Sequence, residues 1–267
     1  MRVLVIGDSC QDVFCYCDCN RLAPEAPVPV LDLLHEQKNP GMAFNVYENM
    51  RSLNHVSISF NAHRNQKCSN IECDIETNSD WEKITKTRLV DAKTNQMFFR
   101  LDSTTKFKRI KLNHINFNTY DAVIISDYNK GFLLEEDIKI ISEMHNLTFL
   151  DTKKTIGEWA KKITFIKINQ LEYEKSKEFF KQDLYYEKLI KTLGSKGCEH
   201  KGEVFSVPEV EVKDVSGAGD TFIAGLVCNY LHSKDIIDSI KFANQCATEA
   251  VSEKGVVSLS KIKAFYW

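Results

Sequence analysis

From Tyr120 onward, short apolar runs alternate with stretches of helical spacing, and this alternation restricts the fold more than any single motif. Residues 122–126, 148–150, 165–168 and 189–193 read as strands. Between them, residues 134–145, 156–161 and 170–180 carry apolar side chains at the period of a helix. Strand and helix repeated in this way predict a parallel sheet covered by helices on both faces. Residues 2–7 (R-V-L-V-I-G) add a buried parallel strand, since an unbroken apolar run needs cover on both sides. The expected class is α/β, with a central, mostly parallel sheet.

Two long helices, 217–231 and 236–252, close the chain. The first grows out of Asp214-Val215-Ser216-Gly217-Ala218-Gly219-Asp220-Thr221-Phe222. Its small residues let the backbone turn tightly, and the N–H groups of Gly217, Ala218, Gly219 and Asp220 then lie at a helix N-terminus. Unpaired N–H groups reinforced by the helix dipole favour a phosphate or a developing oxyanion there. Asp220 is the odd member, because a carboxylate repels phosphate. A base that takes a proton from an attacking hydroxyl explains it. A glycine-rich helix start with an ordinary first-turn carboxylate is the alternative. No G-x-x-x-x-G-K-[ST] loop occurs.

The N-terminal half is less regular. Asp8 and Asp12 follow the first strand, at the edge where open α/β sheets bind ligands. Residues 13–19 and 28–36 alternate or nearly so, and Pro24, Pro27 and Pro29 between and within them exclude a helix. Pro40-Gly41 punctuates before a helix over 42–53. A short strand follows at 56–60, and 61–84 reads as a loop with at most one short element. Residues 85–90 and 96–101 form a strand pair. Together these segments predict a small β-sheet lid, with strands from about 12–36 and 85–101, on one α/β domain spanning 1–267. A lid has two faces and only one cleft, so its apolar outer face predicts a lid-to-lid homodimer.

Composition excludes several classes. The net charge of −2 gives no basic field for a nucleic acid, and no apolar run is long enough to cross a bilayer. The chain starts without a signal-peptide pattern, so a cytoplasmic location is expected. Nine cysteines, odd in number and scattered, fit reduced thiols rather than a disulfide framework. Cys15, Cys17 and Cys19 alternate along one strand face without the spacing of a zinc site.

The order D-V-S-G-A-G-D-T-F resembles the C-terminal signature of the ribokinase-like (PfkB) sugar kinases. The segment R-L-A-P-E-A-P-V-P-V and the following P-G-M-A-F-N-V are similar to the start of their heptose 7-phosphate kinase branch. T-K-T-R-L-V, F-R-L-D, I-I-S-D-Y-N-K-G-F, D-T-K-K, N-Q-L-E and T-L-G-S-K-G continue the likeness, in the family's order, over nearly the whole chain. The resemblance implies a ribokinase-like three-layer sandwich and transfer of the ATP γ-phosphate to the anomeric hydroxyl of a heptose 7-phosphate.

It also implies roles. Asp220 would be the base, with the backbone of Gly217, Ala218 and Gly219 as the anion hole. Asp12, Gly41 and Asn45 match positions that hold sugar hydroxyls, although Asp12 could cap a loop and Asn45 could cap or pack. Asp127, Lys130, Asp151 and Lys153 sit at strand ends facing the cleft, with Lys130 toward the sugar and Lys153 toward the nucleotide. Asn169 and Glu172 match an N-x-x-E motif that organises magnesium through water; from the residues alone, a capping box explains them better. Thr192, Gly194, Gly197 and Asn244 match nucleotide-contacting positions, with a plain turn as the alternative for the glycine loop. Asp214, with backbone near Gly255 and Ser258, resembles a site for a monovalent cation such as potassium.

Two departures stand out. Met42 occupies a position where the family has a second glycine, and the region after Phe60 looks shortened. Both touch the sugar side, which points to a changed sugar preference or weak activity. A non-catalytic kinase-fold binding protein and a nucleoside kinase are the competing readings. The family's heptose kinases are often fused to a nucleotidyltransferase, so a separate partner supplying that step is a further expectation.

Overall fold

The computed structural model of the protein describes residues 1–53, 57–60, 64–67, 70–103, 107–181, 183–253, 255 and 259. In chain order the elements are β1 (Arg2–Gly7), β2 (Ser9–Leu22), β3 (Pro29–Met42), α1 (Ala43–Leu53), β4 (Ser57–Phe60), β5 (Arg64–Lys67), β6 (Glu72–Glu76), β7 (Thr85–Asp91) and β8 (Met97–Asp102). They continue as β9 (Ala122–Asp127), α2 (Glu135–Met144), β10 (Thr148–Thr152), β11 (Phe165–Asn169), α3 (Gln170–Phe180), α4 (Asp183–Tyr186), β12 (Leu189–Thr192), β13 (Cys198–His200), β14 (Glu203–Phe205), α5 (Ala218–Ser233) and α6 (Ile236–Val251).

Eight strands form the large sheet in the order β14-β13-β12-β11-β10-β9-β1-β6. All neighbours from β6 to β12 are parallel, and only β13 and β14 run antiparallel. The central strands are buried on both faces and divide their side chains by parity. Val3 and Val5 of β1 face one core with α1, α5 and α6, through residues such as Val46, Phe222, Leu226 and Phe242. Leu4 and Ile6 face the opposite core, with Ile138 and Ile141 of α2. Three layers follow from one alternating strand. The three-layer α/β class expected from the sequence is the one observed.

The small sheet has the order β3-β2-β7-β8. β2 and β3 each run for fourteen residues, longer than the segments expected, because the ladder continues from Leu22 opposite Pro29 back to Ser9 opposite Met42. This carries the lid down to the carboxyl edge of β1. Side chains alternate across it. Asp12, Phe14 and Arg88 occupy one face, while Val13, Cys15, Cys17, Leu31 and Leu89 cluster on the other.

Several expectations need correction. The helix expected at 156–161 is a single 3-10 turn, Glu158–Ala160, because Gly157 is extended and the chain must re-enter the sheet at Phe165. Met42 ends β3 and does not start the helix; its φ of 62° is left-handed. Residues 61–84 hold more than one short element: β5, β6 and a 3-10 turn, Trp81–Lys83. β6 (E-C-D-I-E) hid because its side chains have the wrong chemistry for a buried strand. It is held at the sheet edge through its main chain beside β1. Within the expected strand 56–60, Val56 lies outside the described residues, and among the described residues β4 pairs with β5 in a separate two-stranded sheet. β13 and β14 were not anticipated, being three residues each. Among the described residues no helix is long and apolar enough to cross a membrane, and eight cysteines are outside any disulfide.

Candidate active site

The carboxyl edges of β1, β9, β10 and β11 meet the first turn of α5. That turn starts at Gly217, whose φ of 81° places the N-cap in the left-handed region and leaves no side chain to cap the helix. The N–H groups of Gly217, Gly219 and Asp220 meet no acceptor among the described residues. Of the N–H groups expected to form an anion hole, those of Gly217 and Gly219 are thus open, while Ala218 N donates to Val215 O at 3.4 Å. Asp220 lies beside it at 3% exposure. Its own helix makes no use of the carboxylate, which is held from across the site: Asn45 Nδ2 of α1 donates to Oδ2 at 2.9 Å, and the Tyr128 hydroxyl donates to Oδ1 at 2.7 Å.

Burial pushes the Asp220 pKa up from an ordinary 3.8 to about 6, while those two hydrogen bonds pull it down. Asn45 is itself oriented by Asn49, whose Nδ2 donates to Asn45 Oδ1 at 3.1 Å. This leaves the Asn45 amide nitrogen facing the carboxylate. Asn45 thus meets Asp220, where the resemblance implied a sugar hydroxyl. Asp8 supports the other side, accepting from the N–H groups of Tyr128 at 2.7 Å and Phe132 at 3.3 Å. Burial, with the neighbouring Asp127, lifts Asp8 to about 6. Asp127 does not face the cleft as expected: it is buried with Lys154 at 2.6 Å and the Thr152 hydroxyl at 2.5 Å, and it braces the loop after β9.

A cavity of about 340 Å³ opens between Asp220 and the inner face of the lid. Asp12, Met42, Lys86, Arg88, Arg100, Tyr128, Lys130, Lys153, Ser216 and Gly217 complete its lining. Asp12 Oδ1 pairs with Arg88 at 2.5 Å. A Cβ on Gly41 would lie 2.1 Å from Asp12 Oδ2, so this glycine makes room for the carboxylate. Arg100 pairs with Asp102, whereas Lys86 and Lys130 have no acidic partner among the described residues. Met42 borders this cavity but is 2% exposed and packs in the core with Leu4, Ile6 and Cys10. Sequence reasoning missed Tyr128, Lys86, Arg88 and Arg100. Strand alternation could have found the last three, since Lys86 lies opposite Asp12, and Arg88 opposite both Phe14 and Arg100.

Asn169 and Glu172 form a closed capping box on α3. Asn169 Oδ1 accepts from Glu172 N at 2.9 Å, and Glu172 Oε2 accepts from Asn169 N at 2.8 Å. Glu172 Oε1 receives Asn169 Nδ2 and Lys153 Nζ. Direct metal ligation there would displace a lysine, so only a water-mediated role is compatible with this arrangement. Asp151 supplies an open ligand oxygen: it is buried, Oδ2 pairs with Lys167 at 2.7 Å, and Oδ1 has no hydrogen-bond partner among the described residues. An orphaned carboxylate oxygen fits a hydrated hard cation. Asn244 lines a second cavity, of about 530 Å³, with Phe205, Val207, Pro208 and Thr248, and donates to Phe205 O at 2.8 Å. Thr192 ends β12 and Gly194 and Gly197 lie on the turn after it, and none of the three lines that cavity; Gly197 is needed there, because a Cβ would lie 2.0 Å from Phe205 O. Asp214 Oδ1 accepts from Ser216 N at 2.8 Å, a local turn. Ser258 lies outside the described residues.

Comparison with known proteins bears on the family and the fold. Residues 64–263 match the family model described as pfkB family carbohydrate kinase. The chain is 30% identical over 310 residues to the bifunctional protein HldE of Helicobacter pylori strain J99, covering 98% of this chain and 65% of that protein. The corresponding protein of Campylobacter jejuni strain RM1221 is 29% identical and is covered over 64% of its length. The chain thus spans just under two thirds of these relatives. Since the 310-residue alignment exceeds the 267 residues of this chain, the relatives also carry residues it lacks. Among solved structures, a ribokinase from Thermotoga maritima matches with a TM-score of 0.70 at 20% identity, covering 98% of this chain and 96% of that one. Phosphofructokinase-2 from Escherichia coli matches with a TM-score of 0.65 at 13% identity, covering 99% and 95%. The chain has the ribokinase-like fold and belongs to the pfkB family of carbohydrate kinases.

Proposed function

We propose that this protein is an ATP-dependent kinase of a sugar phosphate, with a heptose 7-phosphate as substrate and its anomeric hydroxyl as acceptor. The observation that carries this reading is the lining of the sugar-side cavity, where Lys86, Arg88, Arg100, Lys130 and Lys153 outnumber Asp12 and Asp220. Arg88, Arg100 and Lys153 form close ion pairs with carboxylates, whereas Lys86 and Lys130 form none among the described residues and feel only the longer-range charge of Asp102. A neutral sugar gives these two ammonium groups no anionic partner, whereas a phosphate already on the substrate provides one. The relatives named bifunctional protein HldE support the heptose assignment.

In the reaction, Asp220 takes the proton of the acceptor hydroxyl as its oxygen bonds to the γ-phosphorus. The bond from that phosphorus to the bridging oxygen breaks, and ADP leaves with the electron pair. The open N–H groups at the start of α5 face the charge that develops on the transferred phosphoryl group. Asp12 accepts from neighbouring sugar hydroxyls, with Arg88 fixing its carboxylate. The cavity beside Asn244 takes the nucleotide base. Magnesium, when bound, neutralises phosphate charge, and Glu172 with Asp151 would hold it through water; Asp214 would hold a monovalent cation. The product, a sugar carrying an anomeric phosphate, is what a nucleotidyltransferase consumes, and such a partner would act next, in the cytoplasm.

ADP release measured across neutral sugars and sugar phosphates tests the reading. A kcat/KM at least about 100-fold higher for a sugar phosphate than for its neutral parent is expected. Equal values, or no release with any of them, would sink it. The same reading includes a homodimer through the lid, because Leu33, Phe99 and Leu101 on its outer face are 55%, 56% and 61% exposed beside the Val13, Cys15 and Cys17 cluster. Light scattering should give twice the chain mass, and Leu101→Asp should return it to one.

A further inference from the structure

The carboxylate of Asp220 meets a group that the kinase reading does not use. Tyr128 is half-buried, lines the sugar-side cavity, and donates its phenol hydrogen to Asp220 Oδ1 at 2.7 Å. The residue is held at both ends. Its main-chain N–H donates to Asp8 Oδ2 at 2.7 Å, and Asp8 also accepts from Phe132 N, so the loop after β9 is tied to the end of β1. Its ring lies near two ammonium groups, Lys86 Nζ at 4.7 Å and Lys153 Nζ at 5.4 Å from the centroid. The phenol is therefore placed by backbone anchoring and ring contacts, and its hydroxyl is aimed at one oxygen of the base.

We propose that Tyr128 is a positioning residue for phosphoryl transfer: its hydroxyl, working opposite the Asn45 amide, fixes the carboxylate of Asp220 and keeps it ionised for the incoming hydroxyl. This rests on the kinase reading for the identity of the base. A carboxylate with one donor on each oxygen cannot rotate without losing a bond. Each oxygen keeps a further lone pair, so the substrate hydroxyl can still be received.

The balance of surrounding charge explains why donors are needed. Asp220 is faced by Asp151 of β10, Cys10 of β2, Lys167 of β11, and Lys153 from the loop after β10, and it shares its cavity with Asp12 of β2. The acidic neighbours and burial favour the protonated acid, which cannot accept a proton. Hydrogen bonds from Asn45 and Tyr128 oppose both. Tyr128 can serve throughout the working range, because burial and the nearby Asp220 hold its own pKa well above 10. It stays a phenol, hence a donor.

Tyr128→Phe removes the hydroxyl and keeps the ring, its packing and its contacts with Lys86 and Lys153. Two readouts apply. The first needs no substrate: carboxyl NMR of 13C-aspartate-labelled protein, with Asp220 assigned by its loss in Asp220→Asn. The Asp220 titration should move up by about one pH unit in Tyr128→Phe, the amount a hydrogen bond to a charged acceptor supplies. The second is the acid limb of kcat/KM, which should move with it, with kcat lower by about tenfold and KM for ATP unchanged. A spectrum matching the parent elsewhere shows that the variant folds.

An unmoved titration in the folded variant overturns the proposal. So does a moved titration with an unmoved acid limb, since the bond would then serve structure only. If the parent releases no ADP with any sugar phosphate, the substrate reading fails on its own, and the NMR titration still decides whether Tyr128 sets the state of Asp220.

Discussion

Helices α3 and α5 both begin at the carboxyl edge of the large sheet with a carboxylate three residues past the N-cap, and they treat it in opposite ways. In α3 the N-cap is Asn169, whose side chain takes the Glu172 N–H while Glu172 reaches back to the Asn169 N–H. The helix satisfies its own terminus, and Lys153 neutralises the charge that is left. In α5 the N-cap is Gly217, left-handed and without a side chain. The N–H groups of Gly217, Gly219 and Asp220 stay open among the described residues, and Asp220 finds its partners on α1 and on the loop after β9. A carboxylate used by its own helix is spent on stability. One that the helix leaves alone is available for chemistry, and the identity of the cap residue makes the difference.

The sharpest way to break this contrast is Asp220→Asn. The amide keeps the shape but cannot accept the proton, so the rate of ADP release should fall by about 10²–10⁴-fold while ATP affinity stays within a few fold. A rate within tenfold of the parent would remove Asp220 as the base. In the parent, kcat/KM should rise with pH through about 6, following the raised pKa of Asp220. Stability should respond with the opposite sign. The folded pKa is above the unfolded one, so the contribution of Asp220 to folding is full below about pH 4 and is lost as the pH rises through about 6. Removing the charge should therefore leave Tm at pH 7 level or higher, provided one of the two hydrogen bonds survives.

Glu172→Gln tests the other helix. A glutamine can still accept from Asn169 N, so the box persists, but the ion pair with Lys153 is lost. We expect a stability loss of about 1 kcal/mol by denaturant unfolding. If Glu172 also holds magnesium through water, KM for the magnesium–ATP complex should rise about tenfold at unchanged kcat. An unchanged KM would assign Glu172 to the helix alone and leave Asp151 as the open oxygen.

A third helix start, that of α1, gives the smallest expected effect on activity. Met42 precedes it in a left-handed conformation, as Gly217 precedes α5, but its side chain is in the core. Met42→Gly relieves backbone strain of about 1 kcal/mol and loses buried apolar contacts worth about 2–5 kcal/mol. The melt should show a net loss, with kcat/KM for heptose 7-phosphate within a few fold. A gain of tenfold or more would mean that the side chain limits the sugar pocket after all.

Legibility differed by region for physical reasons. The α5 turn could be read because each of its functions is local: glycine frees the backbone, the helix start supplies N–H groups, and the acid stands three residues past the cap. Glu172 was readable as a cap for the same reason. Lys86, Arg88 and Arg100 were within reach of a period-2 count and were overlooked because the lid was read for shape, not for which side chains share its inner face. Tyr128 had no such signal. Its hydroxyl meets Asp220 across 92 residues of chain, and nothing in D-Y-N-K-G says where a phenol will point. β6 escaped because an acidic edge strand is held by backbone bonds that carry no side-chain signature.

By itself the sequence determined the α/β class, the parallel sheet, the glycine-led start of α5 and the family, because these follow from periodicity, backbone freedom and residue order. Only the tertiary structure decided which carboxylates are occupied: Glu172 by its own helix, Asp127 by Lys154, Asp151 by Lys167 on one oxygen, and Asp220 by Asn45 and Tyr128. The physical reason is that the state of a buried acid depends on the donors that long-range packing brings to it, and those donors lie far away in the chain.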